Sequence, residues 1–278
     1  MSKMKPNLKD ITICSVDSLM PHLALLAIEK SMKQCNFAKA ILFTDKQINH
    51  NKEIILIPIK KINSINDYSL FILKELHKHI KTKFVLIVQW DGYVLDGKKW
   101  DNSFYKYDLI GAKWSWHKDA YKVGNGGFTL RSLKLQKIIA SNEFPFVNNL
   151  AEDMQICKLY RKKLAEKYGI KFAPEKIADK FSYEKRFSHT DTFGFHGFFN
   201  FHRHLIDEEL RKVAKKIHRN FLLTKEFREL AIQYILNNRW NSFFILHQEF
   251  IAYANFKLWP RFYYHVLKRS ILNLFYKK

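Results

Sequence analysis

Residues 83–89 read Lys-Phe-Val-Leu-Ile-Val-Gln, an uninterrupted apolar run closed at both ends by polar side chains. Too short for a stable helix and apolar on both faces, it is expected to form a strand of a parallel sheet covered on either side. Neighbouring segments supply the rest of that sheet. Residues 11–17 and 38–45 are apolar or β-branched runs that end in polar residues, and 54–59 is a third. Between the first two, 21–34 places Leu23, Leu25, Leu26, Ile28 and Met32 at roughly helical spacing, and 68–80 has the pattern of a second amphipathic helix. A right-handed β-α-β unit follows. Ligands of open α/β sheets bind beyond the carboxyl ends of the strands, so 15–17, Thr44-Asp45 and 89–92 are expected to meet in one crevice.

At 278 residues and 47% hydrophobic content the chain can close one large α/β domain and carry a small appended unit. From about Leu205 the pattern turns to basic amphipathic helices over 207–219, 224–237 and a long aromatic-rich stretch after Trp240, with no glycine after Gly197. The expected organisation is a catalytic-type domain over 1–204 and a helical extension over 205–278. Cys14, Cys35 and Cys157 show no C-x-x-C spacing, which argues against a zinc ribbon, a redox pair or a disulfide framework and suits the cytoplasm. The first ten residues hold no apolar signal core, and no run is long enough to span a bilayer. The net charge of +22 attracts polyanions, whether nucleic acid, anionic lipid or phosphorylated substrate, and also fits a lysine-rich genome composition.

Four motifs carry chemistry. Gln89-Trp90-Asp91-Gly92 follows the apolar strand and sets a carboxylate on a turn at the sheet's ligand-binding edge. By itself Asp91 reads as the cap of that turn. Gly124-Asn125-Gly126-Gly127 permits close backbone approach, or makes a hairpin; no Gly-Lys-Ser/Thr follows, so it is not a P-loop. Glu152-Asp153 opens a helix expected over 154–167, where carboxylates complement the helix dipole. His196 lies between glycines in an aromatic segment over 192–198.

Taken in order, these segments resemble GT-A glycosyltransferases. Gln89-Trp90-Asp91 is similar to their D-x-D region, whose last acidic residue binds a divalent cation bridging the donor phosphates, and Gln89 departs from it in place of the first acid. The segment from Gly126 to Ser132 is similar to the G-G-x-x-x-R-S stretch beside donor sugar and acceptor. Ala151-Glu152-Asp153 resembles the x-E-D motif that ends in the general base of inverting members. The combined pattern over 8–204 is similar to an uncharacterised group of bacterial and viral glycosyltransferase-like domains.

The resemblance implies a Rossmann-like, mostly parallel central sheet flanked by helices, with a C-terminal helical extension. It implies Mn²⁺ or Mg²⁺ on Asp91 and His196, and Asp153 as base with Glu152 as the alternate. Val16, Asp17, Asp45, Tyr68, Gln89 and Asp91 would line the donor nucleotide. Asn125, Gly126, Gly127, Arg131 and Trp114 would meet donor sugar and acceptor, with Trp116 and His117 nearby; the tryptophans read equally as core aromatics. The implied activity is that of a hexosyltransferase-like enzyme, inverting and UDP-sugar favouring, in surface polysaccharide synthesis. Its acceptor would be a glycan or a lipid-linked glycan.

Beyond Glu249 no acidic residue remains, while lysines and arginines interleave with aromatic and aliphatic residues to the end of the chain. Such helices lie in anionic membrane interfaces, which would place the protein peripherally on the inner face of the cell membrane; packing on the domain or on a second copy in a homodimer reads equally well. Two other functional classes fit parts of the pattern. A nucleic-acid-binding protein would use the basic surface but leaves the carboxylates unexplained, so nucleic acid is not the expected partner. A degenerate glycosyltransferase scaffold would account for Gln89.

Overall fold

The computed structural model describes residues 5–115, 117, 119, 121–185, 191–254 and 256–276, with the side chains of 261 and 269–276 outside that description. Trp116 therefore lies outside the described residues. The chain forms two compact units, Met1–His196 and Gly197–Lys278.

In the first unit, β1 (Asn7–Val16), α1 (Pro21–Gln34), β2 (Asn36–Thr44), β3 (Ile54–Pro58), α2 (Ile65–Leu70) and β4 (Phe84–Val88) follow the expected alternation. Then come two short strands, β5 (Tyr93–Val94) and β6 (Leu109–Ile110), and a longer one, β7 (Phe128–Ser132). The helices α3 (Leu133–Ala140), α4 (Glu152–Met154), α5 (Arg161–Tyr168) and α6 (Glu175–Phe181) precede β8 (Ser182–Tyr183) and β9 (Gly194–Phe195). The central sheet has the order β3-β2-β1-β4-β7-β6, parallel from β3 to β4, with β7 antiparallel to both of its neighbours, β4 and β6. Alternation along the strands divides the core between two faces. Cys14, Val16, Ile41, Phe43, Val85 and Ile87 pack with Tyr68, Phe71, Ile72 and Leu76 on one face. The opposite face of β1 and β2 is covered by α1, whose apolar stripe includes the buried Leu23, Ala24, Ala27 and Ile28. The expected class, α/β with a mostly parallel sheet flanked by helices, is the one observed.

The two helices expected after β3 and around Asp153 are each broken. The first runs as α2, a π-helical turn over Phe71–Glu75 and a 3-10 turn over Leu76–Lys78. A π turn disturbs the regular carbonyl ladder, and the buried Gln136 amide donates to the Ile72 carbonyl at 3.1 Å. The second begins at Glu152, two residues earlier than the sequence suggests, and passes through a π turn over Gln155–Leu159 before α5. Here the Gln155 side chain holds the preceding loop, accepting from the Val147 N–H and donating to the Val147 and Leu150 carbonyls.

Two devices bring distant parts of the chain to the sheet's carboxyl edge. Because β7 runs antiparallel to β4, with Val88 opposite Phe128, the start of β7 lies beside the end of β4. A three-stranded sheet of order β5-β9-β8 then pairs Tyr93 with Phe195, which returns the residue after β9 to the turn before β5.

The second unit is helical in its described part: α7 (Phe201–His204), α8 (Asp207–Ala214), α9 (Lys225–Leu236), α10 (Trp240–Tyr253) and α11 (Trp259–Tyr276). Its core is aromatic, with Phe250 stacked on Phe262 at 4.1 Å between ring centroids and Phe227 beside both. No described helix is long and apolar enough to cross a membrane.

Candidate functional site

At the end of β4 the Gln89 N–H donates to the Gly127 carbonyl at 2.8 Å, and the Gly92 N–H closes a turn on the Gln89 carbonyl. Asp91 sits on that turn. Gly92 keeps an ordinary φ; what requires glycine is the Phe195 carbonyl, 2.7 Å from where a Cβ would stand. Across the turn, His196 Nε2 lies 3.3 Å from Asp91 Oδ1 and 3.2 Å from Gln89 Oε1. Its other ring nitrogen lies 3.7 Å from Glu184 Oε1. Glu184 arrives there because β8 and β9 are parallel with Tyr183 opposite Phe195, so the residues that follow both strands are neighbours. Burial pulls the His196 imidazole down, but the Asp91 and Glu184 carboxylates prevail and hold it up at about 10.

The double glycine is a steric necessity. A Cβ on Gly127 would land in the His196 ring, and one on Gly126 would land on the Glu152 carboxylate. The Gly126 N–H donates to Asp153 Oδ2 at 3.0 Å and the Gly127 N–H to Asn125 Oδ1 at 3.1 Å. The glycine loop is thus a thin wall with the His196–Asp91 cluster on one side and the Glu152–Asp153 pair on the other.

The two carboxylates differ. Glu152 is 3% exposed and accepts from Arg131 Nη2 at 2.7 Å. Arg131 is itself 0% exposed, and its Nε and Nη1 meet no hydrogen-bond acceptor among the described residues. Asp153 is less enclosed and accepts from two backbone N–H groups, Gly126 and Met154. Burial and the Glu152 charge raise its carboxyl to about 7, against the opposing effect of Arg131 and the two N–H donors. That value suits a group that takes a proton near neutrality.

The remaining expected residues divide by position. Asp17 lies at the same edge, in the field of Asp91; burial raises its carboxyl, and Oδ1 accepts from the Leu19 and Met20 N–H groups, capping the turn into α1. Val16 is buried in the core face below it, and Asp45 is exposed at the end of β2. Tyr68 is buried beside Gln89 and Glu152. Arg131 was expected to meet sugar, yet its burial gives it Glu152 as its partner instead. Trp114 is 3% exposed in a core cluster with Leu109, Leu135 and Ile156, with the His117 ring tilted against it at 5.1 Å between centroids, and offers no open face. Glu184 is the residue that sequence reasoning missed. Its only signal is a lone carboxylate after a two-residue strand.

No group of three His, Cys, Asp or Glu among the described residues is arranged to hold a metal ion. Asp91, His196 and the Gln89 amide oxygen nevertheless fit part of one shell. Adjacent ligands of an octahedral Mg²⁺-like ion with bonds near 2.1 Å stand about 3 Å apart, and such ions fill their other positions with water and substrate phosphate. The Nε2 to oxygen distances of 3.2 and 3.3 Å match that spacing. Glu184 stands where a carboxylate would fix the ring, and a cation bound there would take the place of the Nε2 proton that the Asp91 carboxylate favours.

A family model described as "Protein of unknown function (DUF5672)" matches residues 51–196, a span that contains every residue of this cluster from Gln89 to His196. Among solved structures, the crystal structure of a glycosyltransferase involved in the glycosylation of the major capsid of PBCV-1 is similar at 15% identity, over 67% of this chain and 91% of that one, with a TM-score of 0.42. No curated protein matches the chain.

Proposed function

The chain belongs to the DUF5672 family, and we propose that this member is a glycosyltransferase moving a sugar from a nucleotide-sugar, UDP-sugars favoured, to a hydroxyl of a glycan or lipid-linked glycan. The observation that carries the reading is the convergence of Gln89, Asp91 and His196 with Asp153 across the Gly126-Gly127 wall, at the carboxyl edge of a mostly parallel sheet. Ligands of such sheets bind at this edge.

Asp91 and His196, with Gln89 beside them, would hold Mn²⁺ or Mg²⁺. When bound, the cation supplies Lewis-acid neutralisation of the departing diphosphate. Asp153 takes the proton of the acceptor hydroxyl at its carboxylate, the Gly126 and Met154 N–H groups fixing its orientation. Glu152, closed in and bound to Arg131, holds the glycine wall and sets the electrostatic environment of Asp153. Attack by a hydroxyl activated on the far side of the sugar from the leaving group gives inversion. Surface polysaccharide synthesis on the inner face of the membrane is the setting this chemistry suits.

The test is nucleoside diphosphate release from a panel of nucleotide-sugars with Mn²⁺ and glycan acceptors. The parent should turn over at least one donor, and Asp153→Asn should keep donor affinity while losing roughly 10²–10⁴-fold in turnover. Normal turnover in that variant would move the base elsewhere; no release from any donor by the parent would sink the reading.

A further inference from the structure

The helical unit carries a face that its own packing leaves uncovered. Phe262 and Val266 turn α11 inward, where Phe262 stacks on Phe250. On the other side of the same helix Tyr264 is 57% and Leu267 56% exposed, with Lys268 beside them donating to the Tyr264 hydroxyl at 3.1 Å. The turn leading into α11 adds Phe256, 71% exposed, and the exposed Lys257 and Leu258. Isolated exposed apolar residues need no explanation, but aromatic and aliphatic side chains interleaved with lysine over one short stretch do.

We propose that this exposed stretch, Phe256 to Leu258 together with Tyr264, Leu267 and Lys268, docks on the interface of an anionic lipid bilayer. Charge selects the partner: after Glu249 the sequence holds Lys257, Arg261, Lys268, Arg269, Lys277 and Lys278 and no Asp or Glu, so the segment is net positive, and lipid phosphates complement that charge. The aliphatic residues select lipid over nucleic acid. Leu258 and Leu267 gain nothing from a phosphate backbone or a base face but lose water on entering the acyl boundary, while tyrosine lies with its ring buried and its hydroxyl at the headgroups. A second copy of the same face would bring like charges together. No described helix can cross a bilayer, so the contact is peripheral.

The test is sedimentation of the full chain with vesicles of phosphatidylcholine alone and of phosphatidylcholine mixed with phosphatidylglycerol. The protein should pellet with the mixed vesicles and stay in solution with the neutral ones, and high salt should release most of it. Removing the charge of Lys257 or Lys268 by Lys→Gln should weaken binding roughly fivefold each, and Phe256→Ser with Leu267→Ser about tenfold or more. These positions are exposed, so unchanged circular dichroism and melting should accompany the loss. Equal binding to neutral vesicles, no binding to either, tighter binding to a single-stranded oligonucleotide than to anionic lipid, or conversion of a dimer to a monomer by the serine variants without an effect on lipid binding would overturn the proposal.

Discussion

Asp153 is the residue whose chemistry depends most on its surroundings. Its carboxyl ionises at about 7 in the folded chain against an ordinary 3.8, so the folded state holds an extra proton between those limits. Its contribution to stability is therefore most favourable below the lower value and declines as pH rises through the upper one. Asp153→Asn removes that decline. The melting temperature of the variant relative to the parent should increase between about pH 4 and about pH 8, and a flat difference would mean that Asp153 ionises normally. The sequence marks Asp153 and Glu152 through one motif, but the difference between their surroundings was not legible there. That difference comes from Arg131, five residues after Gly126 in sequence, which is buried and takes the Glu152 carboxylate of the pair. Glu184 was illegible for a different reason: its position follows from the register of two-residue strands, which are too short to leave a period.

At the scale of elements, the strands β1 to β4 and helix α1 could be read directly because a buried parallel sheet writes its core as continuous apolar runs. The short strands β5, β8 and β9 could not, and they are what carries His196 to Asp91. Neither could the π turns, since an extra residue in a helical turn hardly alters the apolar spacing on either side. The Arg131–Glu152 pair ties β7 to α4 inside the core, and breaking it by Arg131→Ala should cost about 3–5 kcal/mol because a buried carboxylate loses its partner. Replacing both members, Arg131→Met with Glu152→Leu, should recover most of that loss, as buried pairs often exchange for apolar ones with little net cost. Denaturant melts of the two variants check this. A single variant as stable as the parent would show that the pair does not hold the two elements together.

At the scale of the molecule, a basic chain presents a small acidic cluster at one sheet edge. A net charge of +22 draws anionic substrates in general, whereas carboxylates at the point of chemistry repel them unless a cation intervenes. Under the proposed function, a divalent cation held by Asp91 and His196 would resolve that tension and be the condition for binding a nucleoside diphosphate. The direct measurement is the melting temperature of the parent and of Asp91→Ala with UDP, with Mn²⁺ and with both together. Ligand at a hundred times its dissociation constant stabilises the folded state by about 2.7 kcal/mol. The parent should show a rise of that order only when UDP and Mn²⁺ are present together, and Asp91→Ala should show none. A UDP shift in the parent that is independent of Mn²⁺, or one that Asp91→Ala preserves in full, would contradict the account.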